Sequence, residues 1–155
     1  MADDPLATAG VIAPPPLIFA GGLILGLLLL FALPLGLEVP LAGLVWWVCV
    51  GAGAVLVALS FQAMQARKTP VNPLQPTTNL VAEGPYGFSR NPIYVGFTLI
   101  YFGLALLASS LWPFVLLAGV LIIMERGVVE REEAYLERKF GEEYRNYKAR
   151  VRRWV

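Results

Sequence analysis

Histidine is absent from the 155 residues, and cysteine occurs once, at Cys49. Without imidazole there is no His-based acid–base pair, no Ser-His-Asp triad and no ordinary zinc site, so no metal centre is expected. A single cysteine inside an apolar run excludes a disulfide-held secreted scaffold. Charge is also scarce. Asp, Glu, Lys and Arg make up 15% of the chain, against about 25% in an ordinary soluble domain. The net charge of +1 creates no field that would gather nucleic acid. The shortage is concentrated: residues 5–37, 39–66 and 91–124 carry no charged side chain, 95 of 155 positions in all. About 20 apolar residues suffice to cross a bilayer. A soluble enzyme is therefore excluded, and the lipid bilayer is the first partner of this chain. The expectation is one all-α integral membrane domain over residues 1–155.

The runs divide into helices at their breakers. Residues 1–16 are acidic and proline-rich and lack a basic n-region, so no cleaved signal peptide is expected. Pro14 to Pro16 open a first span, from Leu17 to about Leu35, since proline suits a first helical turn. Gly36 to Pro40 form a turn, and Leu41 to about Met64 form a second span, with Trp46 and Trp47 as candidate interfacial anchors. Gly51-Ala52-Gly53 lies inside that span, with no strand before it and Leu56 where a third glycine would stand. It reads as close helix packing and not as a dinucleotide fingerprint. Residues 65–92 hold five prolines and read as a structured loop. Asn91 and Pro92 are set as N-cap and first residue of a third helix. One helix over 91–124 would extend about 50 Å, too long for a core of about 30 Å. The break at Ser109 to Pro113 therefore predicts two helices, about 92–108 and from 111 onward. The latter carries Glu125 and Arg126 to the hydrocarbon boundary, where ionisable groups are functional candidates or snorkel to the interface.

The last 31 residues hold 16 of the 23 charges. Val129, Leu136, Phe140, Tyr144, Tyr147, Val151 and Trp154 recur at helical spacing, which predicts an amphipathic helix on the membrane surface, open to interruption at Gly141. All twelve Lys and Arg fall in the 65–90 loop or after Glu125. The positive-inside rule then places loop and tail in the cytosol, and by parity the N-terminus as well. The expected architecture is four transmembrane helices with a cytosolic amphipathic C-terminal helix.

Three clusters could carry chemistry: residues 84–96 (GPYGFSRNPIYVG), 130–133 (EREE) and 140–151 (FGEEYRNYKARV). Each has a plain structural explanation: a capped helix start, a solvated helix face and a surface anchor. Together they resemble a known family. The first string is similar to the GPYRYxRHPxYxG signature of isoprenylcysteine carboxyl methyltransferases and their bacterial relatives. The tail is similar to that family's EE…L…FGxEYxxYxxRVPR ending. Phosphatidylethanolamine N-methyltransferases are similar in pairing NPxYxG with a glutamate pair. Asn91 stands where histidine is commoner, Gly87 replaces an arginine and Arg152 replaces a proline, departures that bear on the substrate. The resemblance covers about residues 60–153.

The resemblance implies an integral membrane methyltransferase using S-adenosyl-L-methionine, in the inner membrane of a bacterium, with a lipophilic small molecule or lipid as substrate. The acceptor would be a prenylcysteine-type carboxylate or a lipid amine. Carried over, Arg90, Asn91, Pro92, Tyr94 and Gly96 would line the cofactor pocket from one side, and Glu133, Tyr144 and Tyr147 from the other. Arg126 and Glu132 are the catalytic candidates, Arg126 beside the substrate and Glu132 as base for an amine. The chemistry suits these residue types. A carboxylate pairs with the cofactor's ammonium, an arginine or helix N-terminus takes its carboxylate, and tyrosine faces contact adenine or the sulfonium. Two other readings stay open here: a non-catalytic membrane scaffold that kept the fold, and a sterol-reductase-like NADPH enzyme.

Overall fold

The computed structural model describes residues 8–155, and the acidic start around Asp3 and Asp4 lies outside them. Every regular element among them is helical. The helices are α1 (Pro15–Ala32), α2 (Ala42–Ala66), α3 (Pro92–Leu107), α4 (Leu111–Met124), α5 (Glu130–Phe140) and α6 (Glu142–Arg150). A 3-10 turn, Gly84–Gly87, precedes α3, and a π turn, Glu125–Val129, joins α4 to α5. The breakers act where the sequence places them. Pro15 and Pro16 open α1, and Pro92 opens α3. Ser110 caps α4 by accepting the Trp112 backbone N–H.

Three helices are long and apolar enough to cross a membrane: Pro15–Ala32, Ala42–Ala66 and the continuous rod Leu111–Phe140. The shorter apolar helix α3, at 16 residues, extends about 24 Å. The tail does not start as a separate helix. The π turn carries the helix without a stop from the apolar α4 into the charged α5. The turn is pinned by the segment before α1. The Ile12 N–H donates to the Gly127 carbonyl at 3.2 Å, and Arg131 donates to the Gly10 carbonyl at 2.9 Å. The chain then breaks at Gly141, where φ is +54°, a conformation that suits glycine.

Helix α2 packs mainly on α3, and α1 on α4. Glycines set the first seam. A Cβ on Gly53 would sit 2.6 Å from the Gly96 carbonyl, and one on Gly103 would sit 3.0 Å from the Trp46 carbonyl. Small residues give this backbone-to-backbone approach, which apolar association in lipid favours. Gly51, in contrast, meets nothing within 4 Å. Tyr101, Ala105, Leu117, Val120, Met124 and Val128 form the buried centre. Leu17, Leu28, Phe31, Trp47, Val48 and Ile122 lie exposed on the outside, an apolar coat suited to lipid and costly in water.

The bundle has two different ends. At one, the α1–α2 connection meets the α3–α4 turn: Leu37 N–H donates to the Ser109 carbonyl at 2.9 Å, and Leu111 N–H to the Leu35 carbonyl at 3.0 Å. The Trp112 indole N–H closes the same joint on the Leu33 carbonyl. At the other end, the 67–91 loop, the start of α3, α5, α6 and the tail converge.

Candidate active site

The loop and the tail are joined by backbone first. Residues Ser89 and Arg152 form a parallel bridge, and Arg90 N–H donates to the Arg152 carbonyl at 2.9 Å. Asn91 occupies the N-cap position of α3 as expected, but its side chain does not cap the helix. The amide Nδ2 instead donates to the Arg153 carbonyl at 2.9 Å, and Ser89 Oγ accepts the Asn91 N–H. Asn91 therefore fastens the C-terminal tail to the start of α3.

A charged knot lies beneath this joint. Glu133 Oε1 accepts from Arg90 Nη2 at 2.7 Å and from Arg153 Nε at 2.9 Å, and its Oε2 accepts from Arg153 Nη2 at 2.8 Å. Arg90 and Glu133 side chains are both more than nine-tenths buried. Arg153 also bonds Glu125, whose second oxygen accepts the Trp154 indole N–H at 3.1 Å. The expectation that Glu133 stands ready for a cofactor ammonium is therefore qualified. It already holds two guanidiniums, which leaves room for about one further contact among the roughly four lone-pair positions of a carboxylate. Arg90 is not fully spent. Its Nη1 donates to the Lys148 carbonyl at 3.2 Å, while its buried Nε has no partner.

Glu132, one residue away, faces a different environment. Its Oε1 accepts from the Tyr94 hydroxyl at 2.7 Å. It lies in the charged α5, eight residues beyond Met124, the last residue of the apolar α4. Burial raises its carboxyl to about 7, the Tyr94 hydrogen bond pulls it down and the neighbouring Glu133 pushes it up. A carboxyl balanced near neutrality can hold or release a proton close to pH 7. Tyr147 donates to the Tyr86 carbonyl at 2.8 Å, and the Tyr144 and Tyr147 rings lie 6.1 Å apart. Burial pushes the hydroxyls of Tyr86, Tyr144 and Tyr147 well above the ordinary phenol range, so all three remain neutral donors.

These groups line one recess. Of the residues expected from the sequence, Arg90, Asn91 and Tyr94 lie on its α3 side, Glu132 and Glu133 on its α5 side, and Tyr144 and Tyr147 on its α6 side. Three expected residues lie elsewhere. Pro92 is buried at the helix start, and Gly96 is in the α2–α3 seam, where a Cβ would meet Val57 Cγ2 at 2.6 Å. Arg126 is exposed on the π turn. Tyr86, Tyr135, Thr69 and Asn79 line the recess without having been expected. The loop explains three of them. Thr69 Oγ1 accepts the Asn79 N–H, closing the loop on itself, and the Tyr135 hydroxyl accepts the Thr77 N–H at 3.1 Å, tying the loop to α5. Arg153 was missed as well, and its signal was the arginine closing the RVRR string. Among the described residues, no cluster of His, Cys, Asp and Glu could hold a metal ion.

A helical membrane bundle with a polar recess at one end, lined by arginine, paired glutamates and tyrosines, suits enzymes that join a water-soluble cofactor to a lipophilic molecule. The family model described as phospholipid methyltransferase matches residues 41–143, which include α2 through α5. The chain belongs to that family and is a membrane methyltransferase by class. A Haemophilus influenzae protein described as an uncharacterized protein is 51% identical over 57 residues, covering 34% of this chain and 90% of that protein. No solved structure matches the chain.

Proposed function

We propose that this protein is an S-adenosyl-L-methionine-dependent methyltransferase whose acceptor is a lipid amine or another lipophilic molecule. The reading also takes the chain as one domain of four transmembrane helices, with loop, α5–α6 and both termini in the cytosol of a bacterium and the recess opening there. Family membership supports methyl transfer, and the asymmetric placement of all twelve Lys and Arg at the recess end supports the orientation.

One observation carries the cofactor assignment: the buried, unpartnered Nε of Arg90 lining a recess that also holds a carboxyl poised near neutrality and neutral tyrosines. The cofactor supplies a methyl group on a sulfonium, flanked by an ammonium, a carboxylate and an adenine. The residues fit that set. The free Arg90 N–H suits the carboxylate, Glu133 retains one acceptor position for the ammonium, and the rings of Tyr86, Tyr144 and Tyr147 suit adenine or the sulfonium. Glu133 thus acts mainly by holding Arg90 in place. Glu132 receives the proton that an amine acceptor must release, and Tyr94 fixes the oxygen that receives it. Pro92, Gly96 and Arg126 have positions in this scheme that are structural or peripheral. Methyl transfer is an in-line displacement, so positioning and exclusion of water supply most of the rate.

Calorimetric titration of the detergent-purified protein with S-adenosylhomocysteine, beside NADPH, tests the reading. Micromolar binding of the former that is lost in Arg90→Gln supports it. Folded protein that ignores S-adenosylhomocysteine overturns it, in favour of a reductase if NADPH binds and of a scaffold if neither does.

A further inference from the structure

Tyr135 holds an unspent hydrogen bond at the wall of the recess. Its hydroxyl oxygen accepts the Thr77 N–H at 3.1 Å and the Lys139 ammonium at 3.0 Å. Both partners are donors, and neither a backbone N–H nor an ammonium can accept in return. The hydroxyl proton takes no part in either bond and meets no acceptor among the described residues. Two other tyrosines of the recess differ in this respect. Tyr94 spends its proton on Glu132, and Tyr147 spends its own on the Tyr86 carbonyl. The Tyr135 side chain is buried, where an unused donor is costly. The neighbouring ammonium polarises the O–H bond and makes it a stronger donor.

The surroundings narrow the choice of acceptor. Tyr135 and Thr77 both line the recess, so the hydroxyl stands where the loop and α5 meet around it. Met64, Pro70, Leu80 and Val81 add apolar walls on the loop side. Tyr135 lies three residues beyond Glu132 on α5, one turn or about 4.5 Å further from the apolar α4. An apolar slot with one polar donor suits a flat aromatic ring that carries acceptor atoms. The ring nitrogens of adenine accept and do not donate. A ribose hydroxyl would bring a proton of its own, and the Tyr135 oxygen, which already accepts twice, has no place for it. The cofactor's carboxylate is matched to Arg90, on the α3 side of the same recess.

We propose that Tyr135 donates its hydroxyl proton to a ring nitrogen of the cofactor's adenine and that the loop side of the recess is the adenine slot. Tyr135 is then a specificity-determining residue, and the faces of Tyr144 and Tyr147 are left to the sulfonium. Successive turns of α5 serve the two parts of the reaction, Glu132 at the methyl acceptor and Tyr135 at the base. The assignment rests on the S-adenosyl-L-methionine reading and deepens it.

The test is calorimetric titration of the full-length detergent-purified protein with S-adenosylhomocysteine and its 1-deaza, 3-deaza and 7-deaza analogues. Each analogue replaces one ring nitrogen by C–H. One of the three should bind about fivefold more weakly than S-adenosylhomocysteine, the worth of one hydrogen bond. Tyr135→Phe should close that gap, so that S-adenosylhomocysteine and the penalised analogue bind alike. The ratio is the informative readout. Tyr135→Phe also releases Thr77 and Lys139, and a purely structural loss would weaken every ligand by one common factor and leave the ratio as it was. A parent protein that binds all four ligands alike overturns the proposal and keeps the methyltransferase reading. A gap that survives Tyr135→Phe overturns it too, as does a folded Tyr135→Phe protein that has lost all four ligands together. A folded parent that binds none of the four removes the methyltransferase reading, and the adenine assignment falls with it.

Discussion

Adjacent residues on a helix point about 100° apart, and Glu132 and Glu133 show what that separation does to two identical side chains. Glu133 turns into the knot with Arg90 and Arg153, and Glu132 turns to Tyr94. Removing the Glu133 charge leaves a buried guanidinium without its partner, so Glu133→Gln should destabilise the protein by about 3 kcal/mol. The measurement is the thermal midpoint in detergent, with Glu143→Gln, an exposed position, as the reference that should not move. Glu132 carries a pH signature of opposite origin. Its carboxyl stands near 4.5 when unfolded and near 7 when folded. Between those values the folded chain holds more proton than the unfolded one, so this group's contribution is complete below about pH 4.5. It is lost as pH rises through about 7. Glu132→Gln should therefore melt close to the parent protein at pH 5 and above it at pH 8, by a margin of order 1 kcal/mol because the half-buried group is partly screened. Equal differences at the two pH values would remove the raised carboxyl. The glutamate pair is legible in the sequence as a pair. The division of labour within it is not, because it depends on where Arg153 and Tyr94 arrive from other parts of the chain.

The same contrast holds among the elements. Charge-free runs and prolines locate α1 to α4 to within a few residues, since the cost of burying charge in lipid leaves few choices. The tail defeats that logic. Hydropathy falls sharply at Glu125, which suggests a new surface element, yet Glu, Arg, Ala and Leu are good helix formers. The backbone therefore continues through the π turn into α5. Short π segments of this kind recur near functional sites, and here the turn sets the direction in which α5 presents its glutamates. The α2–α3 seam was half legible. Gly53 was readable as a packing residue, whereas Gly96 resembled part of a binding signature and belongs to the seam. Gly53→Ala places a methyl 2.6 Å from the Gly96 carbonyl and 2.8 Å from Ile100 Cγ1. The helices must separate, at a cost of about 1–3 kcal/mol. Gly51→Ala, one residue pair away and open on all sides, should cost nothing. A matched pair of thermal midpoints decides it, and equal values would mean the seam yields.

For the whole molecule the decisive property is the asymmetry of its two ends. Loop, tail and every cation gather at the end that contains the recess, while the α1–α2 connection at the other end holds only Glu38 in place of a cation. A charge distribution of that kind orients a bundle during insertion, and it makes the location of the chemistry a consequence of topology. On the proposed reading, a cofactor made in the cytosol reaches Arg90 only if that end faces the cytosol, whereas a lipophilic acceptor would arrive through the bilayer whichever way the bundle faces. The orientation is open to a direct measurement because the chain supplies a single native cysteine. In a Cys49→Ala background, Leu74→Cys reports the loop end and Glu38→Cys the opposite end. A membrane-impermeant maleimide applied to spheroplasts should label Glu38→Cys at once and Leu74→Cys only after permeabilisation. The reverse pattern would place Arg90 and both glutamates outside the cytosol, away from any supply of cofactor. The methyltransferase reading would then fail on topology even if isolated protein bound S-adenosylhomocysteine.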